Sequence, residues 1–94
     1  MSDYTPDIAE MLRRDILRTL KKVLPFPMRL ESVVEAVRTQ PHLRGIPQET
    51  LEAELSIMAM EHLVRMDPIG LAPGKFTYKL TPEGAELCRR EGVS

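Results

Sequence analysis

The chain carries a single cysteine, Cys88, so no internal disulfide framework holds it. It has no tryptophan, and only 4% of its residues are aromatic. No apolar run in it approaches the roughly 18 residues of a membrane-spanning helix. Met1-Ser2-Asp3 opens on an acid and lacks the basic-then-apolar pattern of a secretory segment, which implies a cytoplasmic protein. Five glycines exclude a collagen repeat, and 29% charged beside 43% hydrophobic residues excludes a wholly disordered chain. What is present suits one domain, 1–94. A chain of that size buries a little under two-thirds of its unfolded surface, roughly.

A net charge of −1 gives no global pull toward nucleic acid or membrane. The distribution is less even. Residues 1–45 hold eight bases against six acids, and 46–74 hold one base against five acids. Residues 75–94 hold four bases against three acids, so the middle third is the acidic part.

Pattern and punctuation give the elements. Thr5 is a candidate N-cap, with Pro6 at the first helical position. Ile8, Met11, Leu12, Ile16, Leu20 and Val23 recur at three- and four-residue steps, which predicts a helix stopping near Leu24. Pro25-Phe26-Pro27 reads as a stiff extended connector. Leu30, Val33, Val34 and Val37 predict a second helix, and 40–45 a turn. Pro47 opens a third helix to about Leu63, with Leu51, Leu55, Met58 and Ala59 facing the core. Val64–Leu71 and Lys75–Leu80 read as strands, the second with a two-residue period, joined at Ala72-Pro73-Gly74. Thr81 caps a final helix, Pro82 opens it, Ala85, Leu87 and Cys88 form its apolar side, and Gly92 ends it.

The element order is helix, helix, helix, hairpin, helix. The last third, from His62-Leu63-Val64 to Tyr78-Lys79-Leu80-Thr81-Pro82-Glu83-Gly84, resembles the wing of winged-helix proteins. It is most similar to small bacterial regulators of the PadR and MarR type. The resemblance implies an α+β winged helix-turn-helix, with three helices, a β-hairpin wing and a short C-terminal helix. It also implies a DNA-binding transcriptional regulator, homodimeric, with the third helix as recognition helix. Double-stranded DNA would then meet phosphate contacts at Arg29, Arg44, Lys75 and Lys79, with Gln48 and Ser56 as polar contacts on the third helix. Two positions depart from the family pattern. His62 stands where glycine is usual, and the third helix carries Glu49, Glu52, Glu54 and Glu61 but no base. Acids there are repelled by phosphate.

No catalytic or metal-binding constellation is visible, so the expectation is a non-enzyme without cofactor or metal. His42, His62, Glu10 and Asp15 read as ordinary surface residues. Arg89 and Arg90 beside Cys88 would favour a reactive thiolate, yet a buried structural cysteine is the better reading. Arg14, Arg18, Lys21 and Lys22, with Arg13 close by, read as a solvated face partly paired with Glu10 and Asp15. The third helix has a second apolar line, Ala53, Ile57 and Met60, and Leu17 and Leu24 add a smaller one on the first helix. Such a line is either covered within the monomer or meets a second molecule. That leaves an alternative function: a protein-interaction module that does not bind DNA through its acidic helix.

Overall fold

The computed structural model describes residues 6–93. Helix α1 (Pro6–Lys22) leads through a turn to the short strand β1 (Met28–Arg29) and helix α2 (Leu30–Val37). A single 3-10 turn (Pro41–Leu43) precedes helix α3 (Gln48–Met60). The hairpin β2 (Val64–Pro68) and β3 (Phe76–Leu80) follows, then helix α4 (Pro82–Glu91). The sheet is antiparallel in the order β1-β3-β2, with Met28 opposite Tyr78 and Met66 opposite Tyr78 from the other side. This is the expected α+β winged helix. The proposed cap at Thr5 lies outside the described residues.

The core forms where the apolar faces meet. Leu12, Ile16 and Leu20 of α1 close on Val33 and Val37 of α2 and on Leu51, Leu55 and Met58 of α3, and all are fully buried. Tyr78 and Leu80 seal the sheet side. The predicted α1 face needs rotating. Met11 is 37% exposed, while Leu17, expected at a dimer seam, is 5% exposed. The reason is that α1 packs against both α2 and α4, so its buried arc is wider than one stripe.

Three connections differ from expectation. Pro25-Phe26-Pro27 is no extended rod. The Phe26 amide donates to the Val23 carbonyl at 2.8 Å across a turn containing a cis Leu24–Pro25 peptide. That turn lets Met28–Arg29 pair with β3. Pro47 is the N-cap of α3, in extended conformation, and the helix begins one residue later. The wing loop spans 69–75, longer than three residues, because Gly70 and Gly74 adopt positive φ and end both strands early.

The end of α3 explains the odd histidine. His62 has φ 63°, its amide donates to the Ala59 carbonyl, and the Leu63 amide donates to the Met58 carbonyl. This is a Schellman cap, and the left-handed position in it usually belongs to glycine. The helix therefore stops at Met60, short of Leu63. The carbonyls of this turn also anchor α4. The Thr81 hydroxyl donates to the His62 carbonyl at 2.6 Å and accepts from the Gly84 amide at 2.9 Å, while the Thr81 amide donates to the Leu63 carbonyl at 3.1 Å.

Asp15 is buried, not a surface acid. It is 5% exposed and bonded to Arg18 at 3.1 Å. Burial pushes its carboxyl above the ordinary value of 3.8, with Arg18 and Lys22 opposing. The fold thus holds this proton more tightly than the unfolded chain does. Asp15 favours folding at pH values below 3.8, and that contribution fades as pH rises through its folded pKa. We predict that Asp15→Asn gains stability relative to wild type as pH rises from about 3.5 to 7, followed by urea unfolding. A relative loss over that range would mean that the Arg18 pair outweighs burial.

Candidate nucleic-acid interface

A helix-turn-helix pair needs a fixed angle between its helices, and beside the shared core Arg38 ties the two together here. Its Nε and Nη2 both donate to the Ile46 carbonyl, at 3.2 and 2.8 Å, tying the end of α2 to the approach of α3. Arg44 sits exposed in that approach.

The hairpin closes against the start of α3 and leaves a cleft of about 330 Å³. Arg29, Gln48 and Lys75 line it together, so three of the predicted contacts converge there. Glu31, Glu52 and Tyr78 share the cleft. Burial first, then Glu52 and Glu31, push the Tyr78 phenol above its ordinary value, so it stays protonated. Ser56 and Lys79 are not cleft residues. Ser56 is exposed further along α3, and Lys79 pairs with Arg65 across the hairpin. By strand alternation Arg29, Arg65, Asp67, Thr77 and Lys79 share the sheet face opposite Met28, Met66 and Tyr78. Arg65 was not singled out from the sequence. Its alternation within β2 marks the face, but only the register places it beside Lys79.

The acidic helix resolves into two halves. Glu54 is 7% exposed and meets Arg13 Nε at 3.2 Å, and Glu61 meets Arg13 Nη2. Arg13 of α1 thus pairs with two acids from below, its one positive charge offsetting one of the two. Glu49 and Glu52 remain on the open side, with Gln48, Ala53, Ser56, Ile57 and Met60. Neither the wing nor α4 covers the apolar line, since Ile57 is 42% and Met60 73% exposed. Leu24 is exposed as well, at 37%.

The basic face of α1 is largely structural. Arg14 donates to the Glu91 carbonyl at 3.3 Å and Lys21 to the Val93 carbonyl at 3.0 Å, at the negative end of α4. Cys88 is fully buried, and burial raises its thiol pKa against the nearby charge of Lys21, as suits a packing residue. Among the described residues no metal-binding cluster forms, and no helix is long and apolar enough to cross a membrane.

Three helices, a helix-turn-helix pair and a wing define the winged-helix class. Two solved structures share this fold. TA0346 of Thermoplasma acidophilum, assigned as a transcriptional regulator, superposes with a TM-score of 0.76 at 16% identity, over 92% of this chain and 79% of that one. The PcaV transcriptional regulator of Streptomyces coelicolor, solved with its natural ligand, gives 0.68 at 20% identity over 98% of this chain. This chain spans 55% of PcaV's length. No family model and no curated protein matches the sequence.

Proposed function

We propose that this chain is a cytoplasmic winged-helix transcriptional regulator of bacterial type. It binds double-stranded DNA through α3 and the wing, acts as a homodimer, and carries out no reaction. The observation that carries the reading is the division of charge around α3. Arg13 draws Glu54 and Glu61 toward α1, while Arg29, Gln48 and Lys75 gather at the cleft against its first turn, where they face Glu31 and Glu52. Arg44 and Lys79 add cations on the approach and on the wing. Arg, Lys, Gln and Ser all bond phosphate oxygens, and such contacts fix register without reading sequence. The fold of two transcriptional regulators supports the assignment.

The experiment is a salt series with wild type and a Lys75→Ala/Lys79→Ala variant on generic duplex DNA. The variant should bind all sequences more weakly, and its log–log salt slope should be shallower by roughly two units, about one per lost phosphate contact. An unchanged slope removes the wing from the contact.

One observation favours a second reading. The exposure of Ile57 and Met60, beside Ala53, leaves an apolar line on an otherwise polar surface. On that reading the line, with Leu24, meets a second copy or another protein, and the chain is an interaction module.

A further inference from the structure

Two exposed apolar groups, on different elements, sit among charges of opposite sign. The first is the α3 line of Ala53, Ile57 and Met60, with Ile57 42% and Met60 73% exposed. Glu49 stands on the same side of the helix, four residues before Ala53. Glu54 and Glu61 border the line toward α1 and share Arg13. The neighbouring cleft balances, with Arg29 and Lys75 against Glu31 and Glu52. Three acids against one base therefore surround the line, and the sign stays negative when Arg44 of the approach is counted. The second group closes the end of α1. Leu24 is 37% and Phe26 71% exposed in the turn after Lys22. Phe26 lies between two prolines and its amide is bonded to the Val23 carbonyl at 2.8 Å, so its backbone is already stiff. Arg18, Lys21 and Lys22 stand at that end against one acid, Asp15, which Arg18 pairs.

We infer that the chain binds further copies of itself head to tail. The Leu24–Phe26 turn of one copy seats on the Ala53, Ile57 and Met60 line of the next, with Lys21 and Lys22 toward its Glu49. The inference rests on the second reading above and names its partner. The occupant is a second copy on grounds of complementarity. The line asks for apolar groups in a basic surround, and the end of α1 is such a surface on this same chain. Phe26 is the anchor, because a stiff aromatic gives much contact area for little lost freedom. Methionine adapts to a ring, and sulfur–aromatic contacts are favourable. A twofold pairing of two α3 lines would instead set acid against acid. Contact between two different faces leaves one of each open at the ends of a pair, so it grows into chains unless a ring closes.

The test is sedimentation of the whole chain at low salt. A contact of a few side chains belongs to the small, weak interfaces, so the series runs from about 10 μM to 1 mM. The mean mass of wild type should rise with concentration and fall as salt is added. Phe26→Asp and Met60→Asp should each weaken association by roughly tenfold or more, since each puts an unpaired carboxylate into an apolar contact. Both should keep the wild-type thermal midpoint, because both positions are exposed. The deciding sample mixes the two variants. Phe26→Asp keeps an intact α3 line and Met60→Asp an intact turn, so the mixture should form a one-to-one pair with wild-type affinity and nothing larger. No recovery in the mixture, or a loss confined to Met60→Asp, overturns the inference while the second reading stands, since the line then meets some other face. Association that Met60→Asp leaves intact overturns both. A wild-type chain that stays monomeric at the top of the series overturns the inference and leaves the line to a different protein or to DNA.

Discussion

Leu55→Ala destabilises the fold by about 2–5 kcal/mol, the range for a buried leucine cut back to its Cβ. Leu55 is fully buried on α3, one turn from Leu51 and three residues from Met58, which are buried as completely. All three belong to the core shared with α1, α2 and the sheet. The neighbours are held by α1, by the Arg38 fork and by the Thr81 anchor, so they cannot collapse into the space left behind. Urea unfolding measures the loss. A change below about 0.5 kcal/mol, typical of surface sites, would mean that α3 presents another face to the core.

Gly84→Ala has two opposed effects, and the sign of the result decides between them. Gly84 lies in the first turn of α4, where alanine alone would add up to about 1 kcal/mol of helix stability. A Cβ there meets the Leu63 carbonyl oxygen at 2.3 Å and Leu80 Cδ1 at 2.7 Å. The leucine tip can move, but the carbonyl cannot move freely. It accepts from the Thr81 amide at 3.1 Å, and the Gly84 amide is itself bonded to Thr81 Oγ1. Relief of the clash pulls α4 off the α3–β2 turn. We expect a net loss of about 1–3 kcal/mol, as for an overpacked core. A net gain would mean that α4 shifts without disturbing its anchor.

The glycine shows how far sequence reading reaches. Thr81-Pro82-Glu83-Gly84 was legible as a helix start, because capping is local chemistry. The close approach that forces glycine was not, since Leu63 lies elsewhere in the chain. The periodic faces of α2 and α3 were legible for the same local reason. β1 was not: two residues cannot display alternation, and its partner Tyr78 is remote. Leu17 was misassigned because one helix can bury two arcs, and that depends on where α4 lands. At the candidate site, the cations were visible singly, but the meeting of Arg29, Gln48 and Lys75 depends on the hairpin folding back on α3. The pairing of Arg13 with Glu61, 48 residues away, had no local signal at all. It changes the reading most, because Arg13 holds both Glu54 and Glu61 and its single charge offsets one of the two.

We expect Arg29, Arg44, Lys75 and Lys79 to meet duplex DNA despite Glu31, Glu49 and Glu52 beside them. The direct measurement is the affinity of the wild-type chain for generic duplex DNA as salt is raised. Contacts from Arg29, Arg44, Lys75 and Lys79 predict tight binding at low salt and a log–log slope of about −3.6, at −0.9 for each phosphate neutralised. Absence of binding at low salt, or a slope near zero, would contradict the account and leave the apolar face of α3 to a protein partner.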